Sequence, residues 1–148
     1  MVTGQLVPIN ILLVEDNPGD VRLTQEAFKD GMLHNNLHVV VDGEAAMEYL
    51  QRRGQYQDAE RPDLILLDLN LPKMNGREVL AAIKNDPDFK RIPVVVLTTS
   101  QDEKDVLESY KNFASSYIVK PVNMEKFIKV VASFKQYWLT VVKLPTTA

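Results

Sequence analysis

Five short runs rich in Val, Ile and Leu alternate with stretches whose apolar residues recur at helical spacing, and this alternation narrows the possible folds more than any other feature. The runs are Ile9 to Val14, His38 to Val41, Leu64 to Leu67, Val94 to Leu97 and Tyr117 to Val119. Such an order marks repeated βαβ units around a parallel sheet. The first helix is expected to start at Pro18 with Asn17 as its cap, because a proline at the first helical position gives up an N–H that would be unpaired anyway. Its apolar contacts are Val21, Ala27 and Phe28. Further helices read as Gly43 to Arg53, Gly76 to Asn85 and Asp102 to Asn112, and a longer one begins after Asn123. The expected fold class is therefore α/β, a single doubly wound five-stranded parallel sheet with helices on both faces.

A chain of 148 residues, 45% of them apolar, can bury one substantial core, so residues 1–148 are expected to form a single domain, with its core at about 9–136 and an extended C-terminal helix and tail. The absence of cysteine excludes disulfides, thiolate metal sites and cysteine nucleophiles, and suits a cytoplasmic protein. Neither a leader nor an apolar run long enough to span a bilayer is found, so no membrane is expected as partner. A formal charge of -3 without a dense Lys/Arg cluster argues against nucleic acid.

Two of the runs end in carboxylates. Glu15 and Asp16 follow the first, and Asp68 follows the third. If those strands are neighbours, the three acids meet at the carboxyl edge of the sheet, where open parallel sheets bind ligands. Crowded carboxylates raise one another's pKa unless a cation intervenes. Mg²⁺ suits such a sparse set of oxygen ligands, because it keeps several waters and binds through one or two carboxylates plus phosphate oxygens.

The run Ile11-Leu12-Leu13-Val14-Glu15-Asp16-Asn17, the run Pro62-Asp63-Leu64-Ile65-Leu66-Leu67-Asp68-Leu69-Asn70-Leu71-Pro72 with Met74-Asn75-Gly76, then Thr98-Thr99 and Lys120-Pro121, resemble the receiver domain of two-component response regulators. The order and spacing match from residue 9 to about 136. The resemblance implies strand order 2-1-3-4-5 and a phosphoryl group accepted on Asp68. It further implies Mg²⁺ held by Asp16, Asp68 and the Asn70 carbonyl, with Glu15 acting through water. Lys120 then neutralises phosphoryl oxygens, Thr98 donates its hydroxyl to the new phosphate, and Tyr117 turns inward into the space Thr98 leaves. The Lys120-Pro121 bond is expected to be cis, as in the family. Lys120 is placed on the phosphate and not on the metal.

Several of these residues also admit blander readings. An Asp after a buried strand is often only a turn former, and Tyr117 can be plain strand packing. His34 and His38 lack acidic or thiol partners nearby in sequence and read as surface or core-edge residues. Gly76 reads as a backbone requirement in the turn into the third helix. A phosphatase of the haloacid-dehalogenase type also phosphorylates an Asp at a strand end, but places a second Asp two residues later, where this chain has Asn70. A pseudo-receiver would lack one of the acids, the threonine or the lysine. The chain is therefore expected to be no enzyme in the ordinary sense, but a phosphoacceptor that assists its own Mg²⁺-dependent phosphotransfer and slow dephosphorylation.

The segment Arg52-Arg53-Gly54-Gln55-Tyr56 through Arg61-Pro62-Asp63, followed by Leu67-Asp68-Leu69-Asn70-Leu71-Pro72-Lys73, resembles the stand-alone regulators paired with cyanobacterial and other bacterial phytochromes, which implies a light-sensing histidine kinase as phosphodonor. The final helix carries Met124, Phe127, Ile128, Val131, Phe134, Trp138 and Val141 at helical spacing. A helix from 124 to 142 would span about 28 Å and overhang strands of about 17 Å. Its overhang predicts a homodimer through the fourth helix, fifth strand and final helix, with Tyr110, Phe113, Tyr137, Trp138 and Val141 at the interface.

Overall fold

The computed structural model describes residues 8–30, 35–69, 71, 73–98, 116–123, 125–127 and 129. In chain order these form β1 (Ile9–Val14), α1 (Pro18–Asp30), β2 (Asn35–Val40), α2 (Gly43–Gln51), a short 3-10 turn (Gly54–Tyr56), β3 (Leu64–Asp68), α3 (Gly76–Lys84), β4 (Val94–Thr98) and β5 (Ser116–Val119). The strands make one parallel sheet in the order β2-β1-β3-β4-β5. Strand order reverses between β1 and β3, so the ends of these two strands flank the natural ligand crevice.

Alternate residues of the inner strands point to opposite faces, and each face has its own core. Leu12 and Val14 of β1, Ile65 and Leu67 of β3, and Val94 and Val96 of β4 pack with Ala46, Tyr49 and Leu50 of α2 and Val79, Leu80 and Ile83 of α3. On the other face, Ile9, Ile11, Leu13, Leu64, Leu66, Val95, Leu97 and Ile118 pack with Phe28 of α1 and with Phe127, whose rings lie 4.7 Å apart between centroids. Burial on both faces explains why β3 and β4 are unbroken apolar runs rather than alternating ones. Together these contacts realise the doubly wound arrangement.

Helix ends follow their local chemistry. Asn17 Oδ1 accepts the Asp20 N–H at 3.0 Å, which caps α1 as its sequence predicts. Asn75 caps α3 through a reciprocal box with Glu78, at 3.0 Å and 3.2 Å. The second helix was expected to reach Arg53 but ends at Gln51. Arg52 adopts the left-handed conformation at φ 56°, and the N–H groups of Arg52 and Arg53 close on the carbonyls of Tyr49 and Glu48. A non-glycine residue thus performs the stop.

The second strand also differs from expectation, running Asn35–Val40 instead of His38 to Val41. Asparagine is disfavoured in strands, but this is an edge, and Asn36 Nδ2 donates to Asn10 Oδ1 across the strand pair at 3.2 Å. Val41 lies beyond the last pairing and is exposed. The predicted helix Asp102 to Asn112 lies outside the described residues, as does His34. Of the final helix, Glu125, Lys126, Phe127 and Lys129 are helical, and Asn123 caps its start by accepting the Lys126 N–H at 3.1 Å. The rest of its expected apolar face lies outside the described residues.

Candidate functional site

The site forms where β1 and β3 end side by side. Val14 pairs with Leu67 in parallel register, so Glu15 and Asp16 leave β1 at the level at which Asp68 closes β3. Carboxylate oxygens of Glu15, Asp16 and Asp68 lie within 4.8 Å of one another. Glu15 and Asp68 are buried, whereas Asp16 is exposed and opens the group to solvent.

The turn after Asp68 is shaped by Gly76. A Cβ at this position would collide with the Asp68 carbonyl oxygen and the Leu69 Cα, and the Gly76 N–H donates to the Leu69 carbonyl at 3.1 Å. The first turn of α3 can therefore press directly on the backbone of the acid-bearing strand. Beside it, a Cβ at Gly43 would strike the Met74 carbonyl, so the start of α2 lies against the same loop. Lys73, with φ 58°, reaches Asp42 at 3.6 Å and Glu44 at 4.0 Å. Asp42 in turn caps α2 by accepting the Ala45 N–H at 2.7 Å.

Lys120 enters from the end of β5, ahead of the cis Lys120-Pro121 bond. Its backbone N–H donates to the Thr98 carbonyl. Its ammonium lies 2.8 Å from Glu15 Oε1, 3.0 Å from Asp20 Oδ2 and 3.1 Å from Asp68 Oδ2. Burial alone would discourage that charge, but the pairs with Glu15, Asp20 and Asp68 outweigh it and raise the lysine's pKa. The sequence reading put Lys120 on phosphate and not on metal. In the structure its ammonium pairs with two of the three clustered acids, Glu15 and Asp68.

Glu15 shows the opposing side of this balance. Burial pushes its pKa up to about 7, Asp68 adds to the rise, and Lys120 counteracts it. Glu15 Oε1 is buried and meets the Lys120 ammonium at 2.8 Å. A buried carboxylate that already draws a cation, beside two more carboxylates within 4.8 Å, suits a hard cation that prefers oxygen ligands. The site is thus a divalent-cation site by its donor chemistry.

Of the residues singled out in the sequence, Glu15, Asp16, Asp68 and Lys120 come together here. Thr98 is buried at the end of β4, next to Lys120 through the backbone. Tyr117 pairs in register with Val96, two residues before Thr98, so it lies diagonally from Thr98 on the same face of the sheet, partly exposed. Asn70 lies outside the described residues, as do Tyr110, Phe113, Tyr137, Trp138 and Val141. The sequence reading missed Asp20, which meets Lys120 across a separation of 100 residues. Its position in the first turn of a capped helix that starts beside Asp16 was the available signal.

Residues 11–132 match the response regulator receiver domain family. The response regulator Rcp1 of Synechocystis sp. is 51% identical over 138 residues, which cover 93% of this chain and 94% of that protein. The crystal structure of the phosphorylated cyanobacterial phytochrome response regulator RcpA is similar, with 48% identity and a TM-score of 0.73 over 95% of this chain and 100% of that one. That of the Mn(2+)-bound form of response regulator Rcp1 gives 51% identity and a TM-score of 0.72 over 94% and 100%. No helix among the described residues is long and apolar enough to cross a membrane. A parallel sheet in this order, three acids and a lysine gathered at its carboxyl edge, and these likenesses agree: the chain belongs to the response regulator receiver family.

Proposed function

We propose that the chain accepts a phosphoryl group on Asp68 from the phosphohistidine of a sensor histidine kinase of the phytochrome type, and reports its state through its own surface in the cytoplasm. The observation that carries this reading is the position of Asp68, buried at the end of β3 with Glu15 and Asp16 beside it and the Lys120 ammonium at 3.1 Å. Similarity to a phosphorylated phytochrome response regulator and to a Mn(2+)-bound relative supports both the modification and the metal class. Mg²⁺ is the ion we assign, held by Asp16 and Asp68 with the Asn70 carbonyl, and with Glu15 acting through water. When bound, it supplies positive charge beside the phosphoryl oxygens.

The chain's own residues do the rest. An Asp68 carboxylate oxygen forms the new O–P bond as the donor's P–N bond breaks, and the freed imidazole leaves with the kinase. Lys120 balances charge on the transferred oxygens, and Thr98 donates its hydroxyl to the phosphoryl group. Tyr117, diagonal to Thr98, follows it inward and biases the face formed by the fourth helix, β5 and the final helix. On that face we propose a homodimer through Tyr110, Phe113, Tyr137, Trp138 and Val141, with residues 1–148 forming one receiver domain. Because Asn70 offers no second acid for turnover of phosphate esters, the chain is a phosphoacceptor assisting its own chemistry.

Radiolabelled acetyl phosphate with Mg²⁺ is expected to label the wild-type protein, to lose that label on chelation of the metal, and to leave Asp68→Asn unlabelled. Stoichiometric label on Asp68→Asn overturns the reading. Sedimentation of the full chain and of one truncated after Gln136, with and without acyl phosphate, tests the dimer; a monomer in every condition rejects it.

A further inference from the structure

Lys120 has three acidic partners, and one of them stands apart from the cluster. Glu15 and Asp68 share with Asp16 the group of carboxylates within 4.8 Å. Asp20, at 3.0 Å from the ammonium, does not belong to that group. It stands in the first turn of α1, where its N–H donates to Asn17 Oδ1 at 3.0 Å and its carbonyl accepts the Thr24 hydroxyl at 2.9 Å. The backbone is thus held at both polar groups, and the carboxylate has a fixed origin. Its side chain is 31% exposed, against 0% for Glu15 and 6% for Asp68, so it faces the rim of the site. An ion pair with so much solvent access contributes little to stability, and the fold gives Asp20 no other side-chain duty among the described residues.

The charge arrangement supplies one. An ammonium lodged between Glu15 and Asp68 occupies oxygens that a divalent cation needs. For the cation to take them, the ammonium must give up part of its hold, and a half-buried lysine without a replacement partner would then face an incoming like charge. Asp20 is the partner that a cation at the cluster leaves untouched. We infer that Asp20 is a positioning residue for Lys120: it retains the ammonium at the rim when a divalent cation occupies the Glu15, Asp16 and Asp68 cluster, and so keeps the lysine within reach of a phosphoryl group on Asp68. This deepens the proposed function and rests on its assignment of Lys120 and the metal.

Calorimetric titration of Mg²⁺ into four proteins tests it: wild type, Asp20→Asn, Lys120→Met and the double variant, each checked for native circular dichroism. Asp20→Asn is expected to weaken Mg²⁺ binding roughly three- to tenfold, in the lower part of the range of couplings within one ion-pair network. In the Lys120→Met background the same change is expected to cost less than about twofold, because the group through which it acts is gone. Lys120→Gln serves in place of Lys120→Met if the latter does not fold. An equal loss in both backgrounds means that Asp20 acts as a distant charge and overturns the inference, as does unchanged or tighter binding in Asp20→Asn. No Mg²⁺ binding by wild type overturns the metal assignment and this inference with it, whereas wild-type binding with no effect of Asp20→Asn overturns the inference alone.

Discussion

The backbone N–H of Lys120 donates to the carbonyl of Thr98 at 2.8 Å, so the residue that carries the site's cation is tied to the end of the neighbouring strand whatever its side chain does. Substituting the side chain therefore removes the ammonium without releasing the backbone. In metal-free protein, Lys120→Met leaves Glu15 and Asp68 without their shared cation and is expected to lower stability by about 3–5 kcal/mol, as for other buried pairs that lose one partner. Mg²⁺, freed from competition with the lysine, should bind more tightly and restore much of the loss. Thermal melts with and without Mg²⁺ check both effects, and an unchanged melting temperature in the metal-free protein would contradict the geometry.

Glu15 gives a pH prediction whose sign follows from burial. Its pKa rises from 4.5 to about 7 in the folded chain, so the folded state holds a proton that the unfolded state has already released. Its contribution to stability is complete below pH 4.5 and is lost as pH rises through about 7. Urea denaturation of metal-free wild type and Glu15→Gln should show the difference moving in favour of the variant by up to about 3 kcal/mol between pH 5 and 8. A pH-independent difference would show that Glu15 is ionised in the fold throughout.

Gly76→Ala places a methyl group against the Asp68 carbonyl and the Leu69 Cα. Neither is a flexible side-chain end, so the strand or the helix must shift. A loss of roughly 1–3 kcal/mol is expected, the usual range for overpacking. Because the displaced backbone carries Asp68, phosphorylation by acetyl phosphate should slow as well. Denaturant titration and labelling kinetics measured on one preparation test the two together.

Asn75→Ala removes the reciprocal cap of α3 and is expected to cost about 1 kcal/mol. The cap touches no acid of the site, so Mg²⁺ affinity should stay within about twofold of wild type, as expected for independent positions. Calorimetry beside the denaturation curve separates the stability effect from any effect on the site.

What could be read from the sequence depended on the range of the interactions involved. β1, β3 and β4 are buried on both faces, and their apolar runs, interrupted in β1 by Asn10, located them to within a residue. Asn17 announced its helix through local capping chemistry. Glu15, Asp16, Asp68 and Lys120 were legible because they stand at strand ends and resemble a known set of motifs. By contrast, β2 was shortened because Asn35 and Asn36 look like loop residues until Asn10 is placed beside them. Arg52 resembles any exposed helical arginine until the chain turns there. Asp20 stayed hidden because its partner is distant in sequence, and an acid in a first helical turn already has an ordinary explanation in the helix dipole. The pairing of Lys120 with the metal-site acids was likewise invisible, since a resemblance built on the phosphorylated state says nothing of where the lysine's charge goes without phosphate.

The Asn10 and Asn36 pair bears on how copies of this chain can meet. β2 is an outer strand, and its pattern places Asn36 and His38 at exposed positions while Leu37 and Val39 turn toward the core. A sheet margin of this kind offers an approaching strand no apolar ladder to zip against, a protection against runaway edge pairing. Fibre growth through that margin is therefore disfavoured.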